Sequence, residues 1–172
     1  VHEITGDGNV SPHNLPGTFA PPASYTLELL VRPEAFQPAY STIISNHPGK
    51  RGFQGITMEA LAGRTNWYNF GIGNGKSWMA SAEFFLPPER LHYVVVTKDR
   101  LVVKVYVDGR LISNRTLEAD MAPSDYPVVV GNWSGKDRRF NGAIQECRIS
   151  AAVLSGAAVQ EQAHELRAAL GQ

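Results

Sequence analysis

Trp67 and Asn69 stand two residues apart in a run, Trp67 to Gly73, where Tyr68, Phe70 and Ile72 alternate with them. In an extended strand successive side chains point to opposite faces, so the apolar trio claims the core and Trp67 and Asn69 fall on the other side. The same parity separates Lys104 and Tyr106 from the apolar row Leu101, Val103, Val105 and Val107. An aromatic ring can lie against the apolar face of a pyranose while amides, carboxylates and cations hydrogen-bond its hydroxyls. Trp67, Asn69, Lys104 and Tyr106 are therefore candidate contacts of a sugar-binding surface.

Two polar segments add to this set. Asn132 to Arg139 contains Trp133, two amide or carboxylate groups and three cations, so Asn132, Trp133 and Arg138 offer planar donors beside a stacking surface. Asn46 to Arg51 is comparable and contributes Asn46 and His47. Loops on a rigid scaffold are where binding residues concentrate, and these two are expected on one rim. Gly6-Asp7-Gly8-Asn9 could offer oxygens to calcium, but it lacks the ligand series of a dedicated calcium loop, so no ligand is named and no cofactor is assigned.

The elements that must hold these residues are strands. Leu101 to Ile112 reads as strand, Asp108-Gly109 turn and strand, a hairpin signature because both turn residues tolerate positive φ. Similar alternating runs occur at Tyr25 to Val31, Ser41 to Asn46, Gly55 to Leu61, Trp67 to Gly73 and Trp78 to Phe85. Others follow at Leu91 to Lys98, Arg110 to Thr116, Pro127 to Gly131 and Ala143 to Ser150, most of them bounded by Gly, Pro, Asn or Asp. The parity of Trp78 is left open. Only residues 155–170 read as helix, with Ser155 as cap, Val159, Ala163, Leu166 and Leu170 on one face, and Gly171 beyond the end.

At 172 residues the chain fits one domain, 1–172, expected to be a module of a larger protein since it begins at Val1. Sixteen basic and sixteen acidic residues balance, without the basic excess of a nucleic-acid binder. No apolar run approaches the roughly 18 residues of a membrane span. Cys147 lies in an apolar alternation and is expected to be a buried, unreactive thiol.

Four segments in order resemble the laminin G-like branch of the concanavalin A-like lectin and glucanase superfamily. They are Tyr25 to Pro33, Leu91 to Thr97 with the Tyr106 to Gly109 hairpin, Val130 to Asn132, and Phe140 to Ile149. The resemblance implies an all-β fold: two antiparallel sheets in a jelly-roll β-sandwich, one of them concave. It implies that Glu28 and Arg148 sit on neighbouring strands, where they read as a structural salt bridge because unpaired buried charge is costly. Modules of this type bind glycans, proteins or lipids, and the resemblance favours an extracellular or cell-surface place, with a cytoplasmic module of a larger enzyme as the alternative. Relatives that hydrolyse glucans carry a Glu-x-Asp-x-Glu strand, whose alternate carboxylates act together. No such triplet occurs here, the five histidines have no zinc spacing, and no nucleophile-elbow motif frames a serine. The sequence thus points to a noncatalytic carbohydrate-binding module whose partner is a glycan or polysaccharide, attached to an adjoining catalytic domain or to a surface protein. The alternative is a laminin G type adhesion domain with a protein partner.

Overall fold

The computed structural model describes residues 23–47, 52–133 and 138–171, together with the backbone of the short strands β1 (His2–Thr5) and β2 (His13–Asn14). The Gly6 to Asn9 turn lies outside these residues. The further strands are β3 (Ser24–Pro33), β4 (Thr42–Ser45), β5 (Ile56–Ala60), β6 (Trp67–Gly73), β7 (Trp78–Phe85) and β8 (His92–Asp99). They continue as β9 (Val102–Val107), β10 (Arg110–Thr116), β11 (Val129–Val130) and β12 (Gly142–Ser150), ahead of helix α1 (Gly156–Leu170).

Two antiparallel sheets form a sandwich. One, sheet A, runs β1-β12-β3-β8-β9-β10, and the other, sheet B, runs β2-β11-β4-β5-β6-β7. Alternation decides the core. Tyr25, Leu27, Leu29 and Val31 of β3 face Ile56, Met58, Tyr68, Phe70 and Ile72 of sheet B, each at most 1 % exposed. Asp108 and Gly109 both have positive φ, 52° and 81°, the conformation that the tight turn between β9 and β10 demands.

The two outer faces differ. Across sheet A lies α1, which buries Val159 and Ala163 against Tyr93, Val95 and Tyr106. Ser155 caps it by accepting from the Ala158 N–H, and Gly171 ends it in the left-handed conformation. Leu170, expected on the packed face, is 48 % exposed because the apolar stripe leaves the sheet in the last turn. No helix covers the outer face of sheet B among the described residues.

A β-bulge governs that face. Phe70 pairs with Ala82 but Gly71 with Ala80, so Ser81 is the extra residue and Trp78, opposite Gly73, points outward. Cys147 is buried at 1 % exposure, and burial pushes its thiol up to about 12, as expected of an unreactive cysteine.

Candidate functional site

The middle of sheet B's outer face is built by three strands in register. Thr57 of β5 lies opposite Gly71 of β6, Glu59 opposite Asn69, and Asn69 opposite Glu83 of β7. Thr57 and Asn69 each carry a buried side-chain oxygen, Oγ1 and Oδ1, with no hydrogen-bond partner among the described residues. Such atoms are rare and costly, and these two lie beneath the outer-face side chains rather than open to solvent. A Cβ on Gly71 would meet Thr57 at 3.4 Å and the Trp78 ring at 3.5 Å, ordinary contact distances, so Trp78 lies over Gly71 beside Thr57.

Beside this polar floor stands a file of planar groups. The Trp78 and His47 ring centroids are 5.1 Å apart, and those of His47 and Trp133 are 4.7 Å apart. The Arg138 guanidinium lies 4.5 Å from the Trp133 ring and 5.0 Å from that of Tyr40. Exposed Phe53 extends the file edge-on to Trp78. Trp133 and Arg138 are held because their segment is tied to β4 by Gly131 N–H to Ile43 O and Thr42 N–H to Arg138 O, both 2.8 Å. The His47 Nε2 lies 2.6 Å from the Gly52 carbonyl, which only accepts, so this nitrogen carries the proton.

Charge on this face is paired. Arg138 Nη1 contacts Glu59 Oε2 at 3.1 Å, and Arg64 contacts Glu83 at 2.8 Å. Burial raises the Glu59 pKa, with Arg138 opposing the shift. Burial also lowers that of His47, assisted by the Arg138 charge and opposed by the bond to Gly52, so the ring between the tryptophans is neutral at neutral pH. Glu59 and Glu83 flank Asn69 two strand spacings apart, roughly 9–10 Å between backbones, but each is held by a guanidinium rather than left free as an acid or nucleophile.

The nine residues singled out from the sequence separate into groups. Asn69, His47, Trp133 and Arg138 come together on this face. Asn46 adjoins it but is 1 % exposed, and its Oδ1 accepts from the Ile56 N–H at 2.7 Å, so it fastens the loop. Asn132 is likewise buried, at 2 % exposure. Trp67 does face outward, but the Arg64 guanidinium already lies 3.8 Å over its ring and Phe85 packs beside it. Lys104 and Tyr106 belong to sheet A, on the opposite side of the molecule, and α1 covers Tyr106 to 4 % exposure. Parity alone does not say which sheet a strand joins. Thr57 and Glu59 were within reach of the same parity, since they alternate with Ile56, Met58 and Ala60; Tyr40 and Trp78 were not.

Glu28 and Arg148 are register partners on β3 and β12, with Nη1 3.9 Å from Oε2. Arg148 also contacts Glu146 at 2.6 Å, and the Tyr93 hydroxyl lies 2.5 Å from Glu28. This network lies on sheet A beside α1, apart from the candidate face.

A family model described as the concanavalin A-like lectin/glucanases superfamily, of laminin G type, matches residues 5–160. No curated protein sequence matches the chain. Among solved structures, domain 4 of an extracellular arabinanase from Geobacillus stearothermophilus, in complex with arabinotriose, is similar at 21 % identity and a TM-score of 0.67, over 87 % of this chain and 71 % of that one. A botulinum neurotoxin type C structure, from work on cell entry through two ganglioside molecules, is similar at 16 % identity and 0.63, over 87 % of this chain and 36 % of that one. The binding domain of botulinum neurotoxin DC in complex with rat synaptotagmin II is similar at 15 % identity and 0.68, over 92 % and 42 %. The chain thus spans less than half of the toxin fragments, and at these identities the likeness is one of fold.

Proposed function

This chain belongs to the laminin G type of the concanavalin A-like lectin/glucanases superfamily, and from that premise we propose that it is a noncatalytic carbohydrate-binding module. Its glycan lies on the outer face of sheet B. The observation that carries the reading is the file Trp78, His47, Trp133 and Arg138 standing beside the unpartnered oxygens of Thr57 and Asn69. A sugar ring needs an apolar platform for its C–H face and directional partners for its hydroxyls, and this face offers both. The partly exposed Glu59–Arg138 pair offers acceptors and donors to hydroxyl groups, and the Thr57 and Asn69 oxygens become acceptors only where a ligand displaces the side chains over them.

The structural neighbour solved with arabinotriose supports a saccharide ligand. As a module beside a catalytic domain, even a weak site would hold polymer at high effective concentration near the parent's chemistry. The test is a glycan-array screen of the isolated domain, followed by titration of Trp133→Ala against the best ligand. Saturable binding that this variant weakens is the expected result. An array without binders, together with capture of a protein partner through the same face, would favour the adhesion reading instead.

A further inference from the structure

A cleft of about 630 Å³ opens where the Trp67 end of sheet B meets the β9–β10 turn and the last turns of α1. Its size falls within the roughly 300–1,000 Å³ range of small-molecule sites. One wall is aromatic, made by Trp67 and the 44 % exposed Phe85, and Ile112 at 40 % exposure stands on the β10 side. Three arginines, Arg90, Arg110 and Arg167, line it against two carboxylates, Glu83 and Asp108.

Both carboxylates are already engaged. Arg64 holds Glu83 at 2.8 Å, and Asp108 takes His92 Nδ1 at 2.9 Å and the Tyr93 N–H at 3.0 Å. Arg167 donates to the Asp108 carbonyl, which fixes it at the cleft. Arg90 and Arg110, both exposed, form no salt bridge among the described residues. The cleft therefore presents guanidinium forks that no protein carboxylate bonds directly, although the Arg90 charge helps to lower the Asp108 pKa, next to the exposed Phe85 ring and Ile112.

We propose that this cleft is a second saccharide subsite, selective for a sugar ring that bears a carboxylate, that is, a uronate. A planar guanidinium matches a planar carboxylate through two parallel hydrogen bonds, which a spherical cation cannot offer. Phe85 and Ile112 supply the contact that the C–H face of the same ring requires, so a bare inorganic anion would use only half of the site. The inference rests on the cleft's own residues and does not depend on the outer-face reading. Gly73, where Trp78 pairs, lies six residue steps from Trp67, about 20 Å of strand.

The test is calorimetric titration of the whole chain with trimers of galacturonic acid and of glucuronic acid, against the corresponding neutral hexose trimers and against acetate. Expected is saturable binding of at least one uronate trimer, with neutral trimers and acetate about tenfold weaker or worse. Arg90→Gln and Arg110→Gln should each weaken it about tenfold, and Phe85→Ser should weaken it without changing its salt dependence. Trp133→Ala should leave it within about twofold, which separates this site from the outer face. Absence of binding by both uronate trimers would overturn the proposal, as would affinity unchanged in Arg90→Gln and Arg110→Gln, or acetate binding as tightly as the sugar.

Discussion

The His47 imidazole lies 4.7 Å, centroid to centroid, from the Trp133 indole, although 86 residues of sequence number separate them. That contact joins two loops into one surface, because His47 lies two residues beyond the end of β4, which also holds the Trp133 segment by backbone hydrogen bonds. The surface is a consequence of sheet B's strand order, in which β11 lies beside β4.

Burial of the His47 ring, the main cause of its lowered pKa, makes stability pH-dependent. His47 has a lowered pKa in the folded state, so the unfolded chain binds its proton first as pH falls below its ordinary value of 6.5. Its contribution is present above that value and is lost as pH falls through the lowered folded value. Thermal melts between about pH 8 and pH 5 should show this decline for the native sequence and a flatter profile for His47→Gln.

Asn46 should behave as a fastener. Removing its Oδ1 leaves the Ile56 N–H unsatisfied in a buried place, so Asn46→Ala is expected to cost about 1–3 kcal/mol in chemical denaturation. Array binding by the folded fraction of the variant should persist. Loss of binding with stability intact would return Asn46 to the ligand's surface.

Tyr106 is a packing residue under α1, not a sugar platform. Tyr106→Ala should destabilise by about 3 kcal/mol or more while the variant retains the native glycan affinity. Denaturant melts and titration on one preparation read both quantities.

Catalysis should be absent. Glu59, the outer-face carboxylate whose pKa burial raises, is bonded to Arg138 rather than poised near a partner acid. Purified protein incubated with polysaccharides should release no reducing sugar. Release that Glu59→Gln abolishes would establish a hydrolase.

Much of the framework was legible because it is local. β6, β7 and β10 occupy the residues that alternation assigns, the Asp108-Gly109 turn has the φ values its residues favour, and Ser155 caps the helix it precedes. β1 and β2 were not anticipated, since two to four residues carry too little periodicity to read. The site was legible only in part. Parity put Trp67 and Asn69 outward, yet it could not reveal that Arg64 covers the indole or that Lys104 and Tyr106 sit on the other sheet. Trp78 escaped because the bulge at Ser81 resets the alternation along β7, and such a shift depends on pairing with β6 rather than on β7's own residues. The Glu59–Arg138 pair spans 79 positions and is a product of topology alone.

The most direct measurement is isothermal titration of the glycan identified on the array into the native protein and Trp133→Ala, with thermal melts of both. If the outer face of sheet B binds the sugar, removing the indole beside His47 and Arg138 should weaken affinity by about 1–3 kcal/mol and leave the melting temperature nearly unchanged. Native affinity in Trp133→Ala would contradict the account.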